Sequence, residues 1–228
     1  MSYPIALDDC VLRLELQDNF GTTYLDGSTY GNHATRTGAT QCNGPGGLGL
    51  LFDGTDDFLS VADAASLDVS ALTIAAWVKL DATWAAVGHI LAKCEDDGVQ
   101  YSYALALNAD RKPMLTISDD GAAGTAETAT AAVAVSRWYH IGATYSGGTY
   151  LLYVDGAVVA SDGTGADAAI HAGTGRVTVG ARWDSTVVAE AVEEFKGRMG
   201  SVLVWPRALT AQEFHELYMV HAGDNTGE

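Results

Sequence analysis

The 228-residue chain is short of basic residues: 12 Lys plus Arg stand against 29 Asp plus Glu, a formal net charge of −17 at pH 7. That balance repels phosphate backbones, so no nucleic acid is expected among the partners. It suits a solvated acidic surface, cation binding or a saline medium. Proline is scarce, 4 residues against 26 glycines, which fits many tight turns and no Pro-rich linker. The three cysteines, Cys10, Cys42 and Cys94, are odd in number and widely spaced. They make no disulfide framework and no C-x-x-C zinc pattern, so reduced, mostly buried thiols are expected. No apolar run is long enough to span a bilayer, and no membrane insertion is expected. The start, Met1-Ser2-Tyr3-Pro4-Ile5, has neither the basic region nor the apolar run of a signal peptide.

Catalytic signatures are also missing. There is no G-x-S-x-G, no H-E-x-x-H and no phosphate-binding G-x-x-x-x-G-K-[ST]. Gly44-Pro45-Gly46-Gly47-Leu48-Gly49 spells G-x-G-x-x-G, but a β run follows it and Pro45 lacks an amide for a phosphate. The histidines, at 33, 89, 140, 171, 215 and 221, show no metal spacing.

What is present is period-2 alternation. Leu72, Ile74, Ala76, Val78 and Leu80 point one way and Thr73, Ala75, Trp77 and Lys79 the other, the mark of a central strand between two packed layers. Further strands are read at 5–16, 84–94, 101–108, 113–118 and 137–146, in a hairpin over 149–162, and at 176–183 and 197–205. Asp155-Gly156 is the hairpin's turn signal. Residues 17–47 read as a long polar loop, and 119–132 and 163–175 as small-residue connections. Helical signals occur once: Thr210-Ala211-Gln212-Glu213 is a capping box, followed by Phe214, Leu217, Tyr218 and His221 at helical spacing. This predicts an all-β, two-sheet antiparallel β-sandwich over 1–222, with one short C-terminal helix covering an edge or end of the sheets. The tail, 223–228, is expected to fray.

An ordered series of short motifs carries a resemblance. It runs Asp26-Gly27-Ser28-Thr29-Tyr30-Gly31-Asn32, Phe52-Asp53-Gly54-Thr55-Asp56-Asp57-Phe58, Trp77-Val78-Lys79, Trp138-Tyr139-His140-Ile141 and Tyr153-Val154-Asp155-Gly156. It continues through Val179-Gly180-Ala181-Arg182 and Phe195-Lys196-Gly197 to Arg207-Ala208-Leu209-Thr210. Over about residues 5–219 the chain resembles the laminin G-like domains of the concanavalin A-like lectin/glucanase superfamily. The resemblance implies a jelly roll. It identifies a fold far better than a ligand.

Candidate ligand-binding residues are Tyr101, Tyr103, Trp84, Arg182 and Trp183, since sugars stack on aromatic platforms flanked by polar groups. Core or cross-strand packing is the competing role for Tyr101 and Tyr103, and for Trp183 neither reading leads. Trp77, Trp138 and Trp205 are expected in the core. Calcium is the cofactor that the resemblance implies, at Asp26 and Asn32. Gly200 stands where relatives carry a further Asp, so one ligand is missing, and Asp26 could equally cap its own turn. Some relatives hydrolyse glycosides with Glu-x-Asp-x-x-Glu on one strand. The nearest run here, Glu190 to Glu194, lacks the middle Asp, and strand 101–108 carries no acid.

The expected function is therefore a binding or adhesion module and not an enzyme, displayed on a virion or extracellular surface. The expected partners are glycans or a capsid or tail protein, with homo-oligomerisation left open. A secreted or cell-surface lectin-like module is the alternative, and a glycoside hydrolase is disfavoured.

Overall fold

The computed structural model describes residues 7–17, 21–95, 100–122, 124–162, 168–185 and 190–223. In chain order the first strands are β1 (Leu12–Leu14), β2 (Thr23–Tyr24), β3 (Ala34–Thr37), β4 (Thr40–Gly44), β5 (Gly47–Asp53), β6 (Phe58–Val61) and β7 (Ala71–Leu80). Then come β8 (Gly88–Lys93), β9 (Tyr103–Leu107), β10 (Pro113–Ile117), β11 (Thr125–Thr128), β12 (Trp138–Ser146), β13 (Thr149–Val154) and β14 (Ala157–Asp162). The last are β15 (Val177–Val179), β16 (Arg182–Asp184), β17 (Glu190–Val192) and β18 (Lys196–Trp205), followed by helix α1 (Ala211–Ala222).

The strands form two large antiparallel sheets. One runs β14-β13-β12-β7-β18-β5-β4, with β1 also on β18; the other runs β11-β10-β9-β8-β15-β6-β3-β2. β16 and β17 make a separate hairpin. Between the large sheets lies the main core. Leu72, Ile74, Ala76, Val78 and Leu80 enter it from β7, facing Leu59, Leu91, Leu105, Leu115 and Val179 of the other sheet. The alternation of β7 thus holds.

The second face of β7 is also dry, because α1 lies on it. Phe214 and Leu217 join Ala75, Tyr153, Leu203 and Trp205 in a second core, completed by Leu7 and Cys10. Phe214 stacks on Tyr153 with ring centroids 4.0 Å apart. Buried Thr73 fastens the approach to the helix: its hydroxyl donates to Arg207 O at 2.7 Å and accepts from Leu209 N at 2.9 Å. The capping box forms, Thr210 Oγ1 accepting from Glu213 N while Glu213 Oε2 accepts from Thr210 N. Arg207 reinforces it with two bonds to the Glu213 carboxylate, at 2.9 and 3.1 Å. Arg207 and the Thr210 amide hold that carboxyl down to about 2. The helix covers a sheet face, where an edge or end was expected. Trp77, Trp138 and Trp205 are buried as expected.

Several boundaries differ from the sequence reading. Among the described residues of the expected strand 5–16 only β1 is a strand; Leu7–Asp9 is a 3₁₀ turn closed by Cys10 N donating to Leu7 O, and residues 5–6 lie outside the described residues. The supposed loop 17–47 contains β2, β3 and β4, and connection 119–132 contains β11. These are short strands at or next to a sheet edge, and their largely exposed residues show no apolar alternation. The expected strand 84–94 starts only at Gly88. The expected strand 176–183 breaks at Gly180, whose φ of +89° and close approach to Phe52 suit glycine alone. Asp155 and Gly156, with φ of +50° and +76°, make the expected hairpin turn. None of the three cysteines is in a disulfide. The end of the tail, 224–228, lies outside the described residues. Among them no helix is long and apolar enough to cross a membrane.

Candidate functional site

The sheet without the helix carries a groove of about 380 Å³ on its outer face. Its walls include His89, Glu95, Tyr101, Thr116, Arg182 and Glu193. The depression follows from side-chain size. Ala92, Cys94 and Ala104 form a small buried cluster, and Tyr101 packs against them as the one large ring.

Two residues apart in the run 101–108, Tyr101 and Tyr103 would share one face of a continuous strand, but they separate. β9 begins at Tyr103, which turns inward, is fully buried and donates its hydroxyl to Leu67 O at 3.1 Å. Tyr101 lies just before the strand, with its amide on Gly121 O at 2.9 Å and its hydroxyl bonded to the Thr116 side chain. Burial pushes the Tyr101 phenol above its usual range.

Arg182, on β16, reaches the opposite wall. Its Nε donates to Glu193 Oε2 at 3.1 Å. Glu193 follows β17 with a φ of +51°, an uncommon conformation for a side-chain-bearing residue. Its carbonyl accepts the His89 amide at 3.1 Å. His89 Nδ1 stands 3.5 Å from Glu193 Oε2 and, among the described residues, makes no well-aligned hydrogen bond. Burial drives His89 down to about 4 against the pull of Glu193, so the imidazole is neutral at pH 7. The groove thus joins a flat aromatic ring to a guanidinium, carboxylates and a hydroxyl.

The other candidates lie elsewhere. Trp84 is 6% exposed and packs on Phe195, ring centroids 5.3 Å apart, in the main core. Trp183 borders a second depression, of about 430 Å³, with Phe58, Thr37, Thr55 and Asp56. Its ring lies 5.7 Å from that of Phe58, and the Arg176 guanidinium stacks on it at 4.0 Å. Glu193 borders both depressions.

Asp26 and Asn32 are buried and adjacent. Asp26 Oδ1 accepts from Arg13 N and Ser28 N at 2.8 and 2.9 Å; Oδ2 accepts from Ser28 Oγ and Asn32 N at 2.5 and 2.8 Å. Asn32 Nδ2 donates to Val11 O and Ser66 Oγ. A carboxylate ringed by four donors closes its own turn and does not fit a calcium ion, which needs free oxygens around it. At Gly200 an added Cβ would stand 3.1 Å from Trp77 Cβ, so a carboxylate there would crowd the indole. Asp53, Asp56 and Asp57 gather at the β5–β6 turn with carboxylate oxygens within 4.8 Å. Two of these carboxylates accept turn amides, Asp57 from Asp53 N and Asp53 from Thr55 N.

His89, Glu95, Thr116 and Glu193 were not singled out as groove residues by the sequence. The run around Glu193 reads as a charged approach to a strand, and only the left-handed residue after β17 turns it into the groove. The run 101–108 carries no acid, yet the groove it borders receives Glu95 and Glu193 from neighbouring segments.

Comparison with known proteins fits this architecture. The binding domain of Paraclostridial Mosquitocidal Protein 1 superposes with a TM-score of 0.71 at 14% identity, over 93% of this chain and 52% of that one. The botulinum neurotoxin serotype G binding domain gives 0.66 at 16%, over 95% and 52%. Trypanosoma rangeli sialidase in complex with sialic acid gives 0.72 at 19%, over 100% and 35%. The chain therefore spans about half the length of the toxin domains and about a third of the sialidase. At these identities the likeness is one of fold. No curated protein sequence matches. A laminin G family model, described as the concanavalin A-like lectin/glucanases superfamily, matches residues 53–215, from the β5–β6 turn into α1. With most of the chain matched and both sheets in place, the chain belongs to the concanavalin A-like lectin/glucanases superfamily.

Proposed function

We propose that the chain is a carbohydrate-binding module and that the outer groove of the helix-free sheet is its binding site. The observation that carries this is the pairing of the Tyr101 ring with the Arg182–Glu193 ion pair across one groove. A sugar ring offers an apolar face to an aromatic side chain and hydroxyls that both donate and accept. Arg182 supplies donors, Glu193 acceptors, and Thr116 a hydroxyl. Membership of a lectin/glucanase superfamily and likeness to toxin binding domains support the reading. Glycan-array screening followed by calorimetry tests it. Tyr101→Ala and Arg182→Gln should each weaken the hit at least tenfold while far-UV dichroism at the assay temperature shows both variants folded. A hit unchanged in both variants would refute the site.

A glycoside hydrolase is the second reading, favoured by one observation: Glu95 and Glu193 both border the groove, and hydrolysis needs two carboxylates about one bond. The binding reading predicts no sugar release from a polysaccharide panel. Release that vanishes in Glu193→Gln would replace it with hydrolysis. We place the module on a particle or cell surface, in keeping with its acidic charge. Stoichiometric recovery from purified virions or envelopes tests that setting, and its absence from both would contradict it.

A further inference from the structure

Cations are few in this chain, and several of them face an acid. Arg13 meets Glu15 at 2.8 Å, Lys93 meets Asp63 at 2.6 Å, and Arg137 meets Asp155 at 2.6 Å. Arg182 meets Glu193 at 3.1 Å and Arg207 meets Glu213 at 2.9 Å. Arg198 instead faces another cation. On β18 it stands in register with Lys79 of β7, so two cations lie opposite each other on adjacent strands. Like charges in that position oppose sheet formation. Among the described residues Arg198 makes no ion pair.

The two side chains point away from the main core, on the face that carries α1, beyond the region where Tyr218 covers Trp77. There they line a depression of about 290 Å³ with Leu51, Asp81 and Ser136. Ser136 adds an independent mark. Its φ is +61°, a left-handed conformation for a residue with a side chain, fixed by its amide donating to Leu80 O at 2.9 Å. Such strain persists where the surroundings impose it, and it clusters at ligand sites. Asp81, the acid in this depression, is engaged: its Oδ1 accepts from Thr83 N and Oγ1 at 2.9 and 2.8 Å. Those bonds, and then the nearby Lys196 and Arg198, hold its carboxyl below the usual range.

We infer that this depression is an oxyanion site, taking a sulfate, phosphate monoester or carboxylate group. A guanidinium fork, an ammonium and a hydroxyl around one hollow are the donors that such a group accepts from. An anion between Arg198 and Lys79 turns their opposition into a shared attraction. The site is on the other sheet from the Tyr101 groove and does not depend on it. One molecule could therefore hold a neutral sugar on one face and an anionic group on the other.

The test is a titration of the full chain, followed by backbone amide shifts, with sodium sulfate, phosphate and acetate at constant ionic strength. A sulfated oligosaccharide and its unsulfated parent form a second pair, to separate a free ion from a carried group. The inference expects saturable shifts at Lys79, Ser136 and Arg198, and at least tenfold weaker binding in both Arg198→Gln and Lys79→Gln. It also expects sulfate to raise the wild-type melting temperature more than that of either variant. Arg198→Gln alone should melt no lower than wild type, since it relieves the opposed charges. Linear, unsaturable shifts, or binding unchanged in either variant, would overturn the site.

Discussion

Lys93 gives the sharpest test of how the helix-free sheet is held. Its side chain is fully buried, a rare state for lysine. Nζ donates to Asp63 Oδ1 at 2.6 Å, Gly173 O at 2.7 Å and Gly175 O at 3.0 Å, with Asp68 Oδ1 at 3.3 Å. One ammonium thus joins β8 to the loops on either side of it. Lys93→Met keeps the apolar stem and removes the charge, leaving two carbonyls and two carboxylates without their shared donor. Breaking a buried ion pair from one side costs about 3–5 kcal/mol. Asp63 and Asp68 are 35% and 28% exposed, so water screens part of the loss, and about 3 kcal/mol is expected. For a domain of this size that lowers Tm by roughly 6–12 °C. The loop reports locally as well. His171 N on Ser118 O and Thr174 N on Gln100 Oε1 should lose exchange protection. Circular-dichroism melting and hydrogen exchange give both readouts, with Lys112→Met as the surface control. A Tm change under about 2 °C, no more than a surface substitution gives, would refute the reasoning.

Three further predictions follow from burial. His89 is held down to about 4 and His140 to about 3, both by burial, from an ordinary 6.5. The unfolded chain therefore binds more protons below pH 6.5. Stability is complete above that pH and falls as pH drops toward 4 and then 3, by several kcal/mol at about 1.4 kcal/mol per unit. His140→Phe, among Trp77 and Phe214, should flatten the Tm slope between pH 6.5 and 4.5, and an unchanged slope would count against it. At Gly142 an added Cβ would meet Phe214 Cζ at 2.5 Å and press on Ile74 O. Gly142→Ala should cost about 1–3 kcal/mol and loosen the helix, read by denaturant melts and near-UV dichroism; wild-type stability would show that the helix yields freely. Millimolar calcium or EDTA should leave Tm within about 1 °C, as a donor-ringed Asp26 requires; a rise with calcium would contradict that assignment.

The architecture was legible where burial imposes a period. β7 alternates between two dry layers, Asp155-Gly156 needs two positive φ angles, and Thr210 to Glu213 spells its own cap. Strands at or next to the sheet edges escaped because β3, β4 and β11 keep few side chains inside, so no apolar rhythm marks them. The groove was half legible. Tyr101 and Arg182 are residue types that flag themselves, but alternation placed Tyr101 beside Tyr103, and only the start of β9 separates them. Glu193 enters through one left-handed residue after a hairpin, a backbone event that no composition signals. Asp26 could be read from sequence as a ligand or a turn anchor, and four hydrogen bonds decide for the turn.

The most direct measurement is amide shift mapping with the strongest glycan hit. The account predicts perturbations that cluster on Tyr101, Thr116 and Arg182 and disappear in Tyr101→Ala. Shifts confined to Trp183 and Phe58, or to the sheet under the helix, would contradict it.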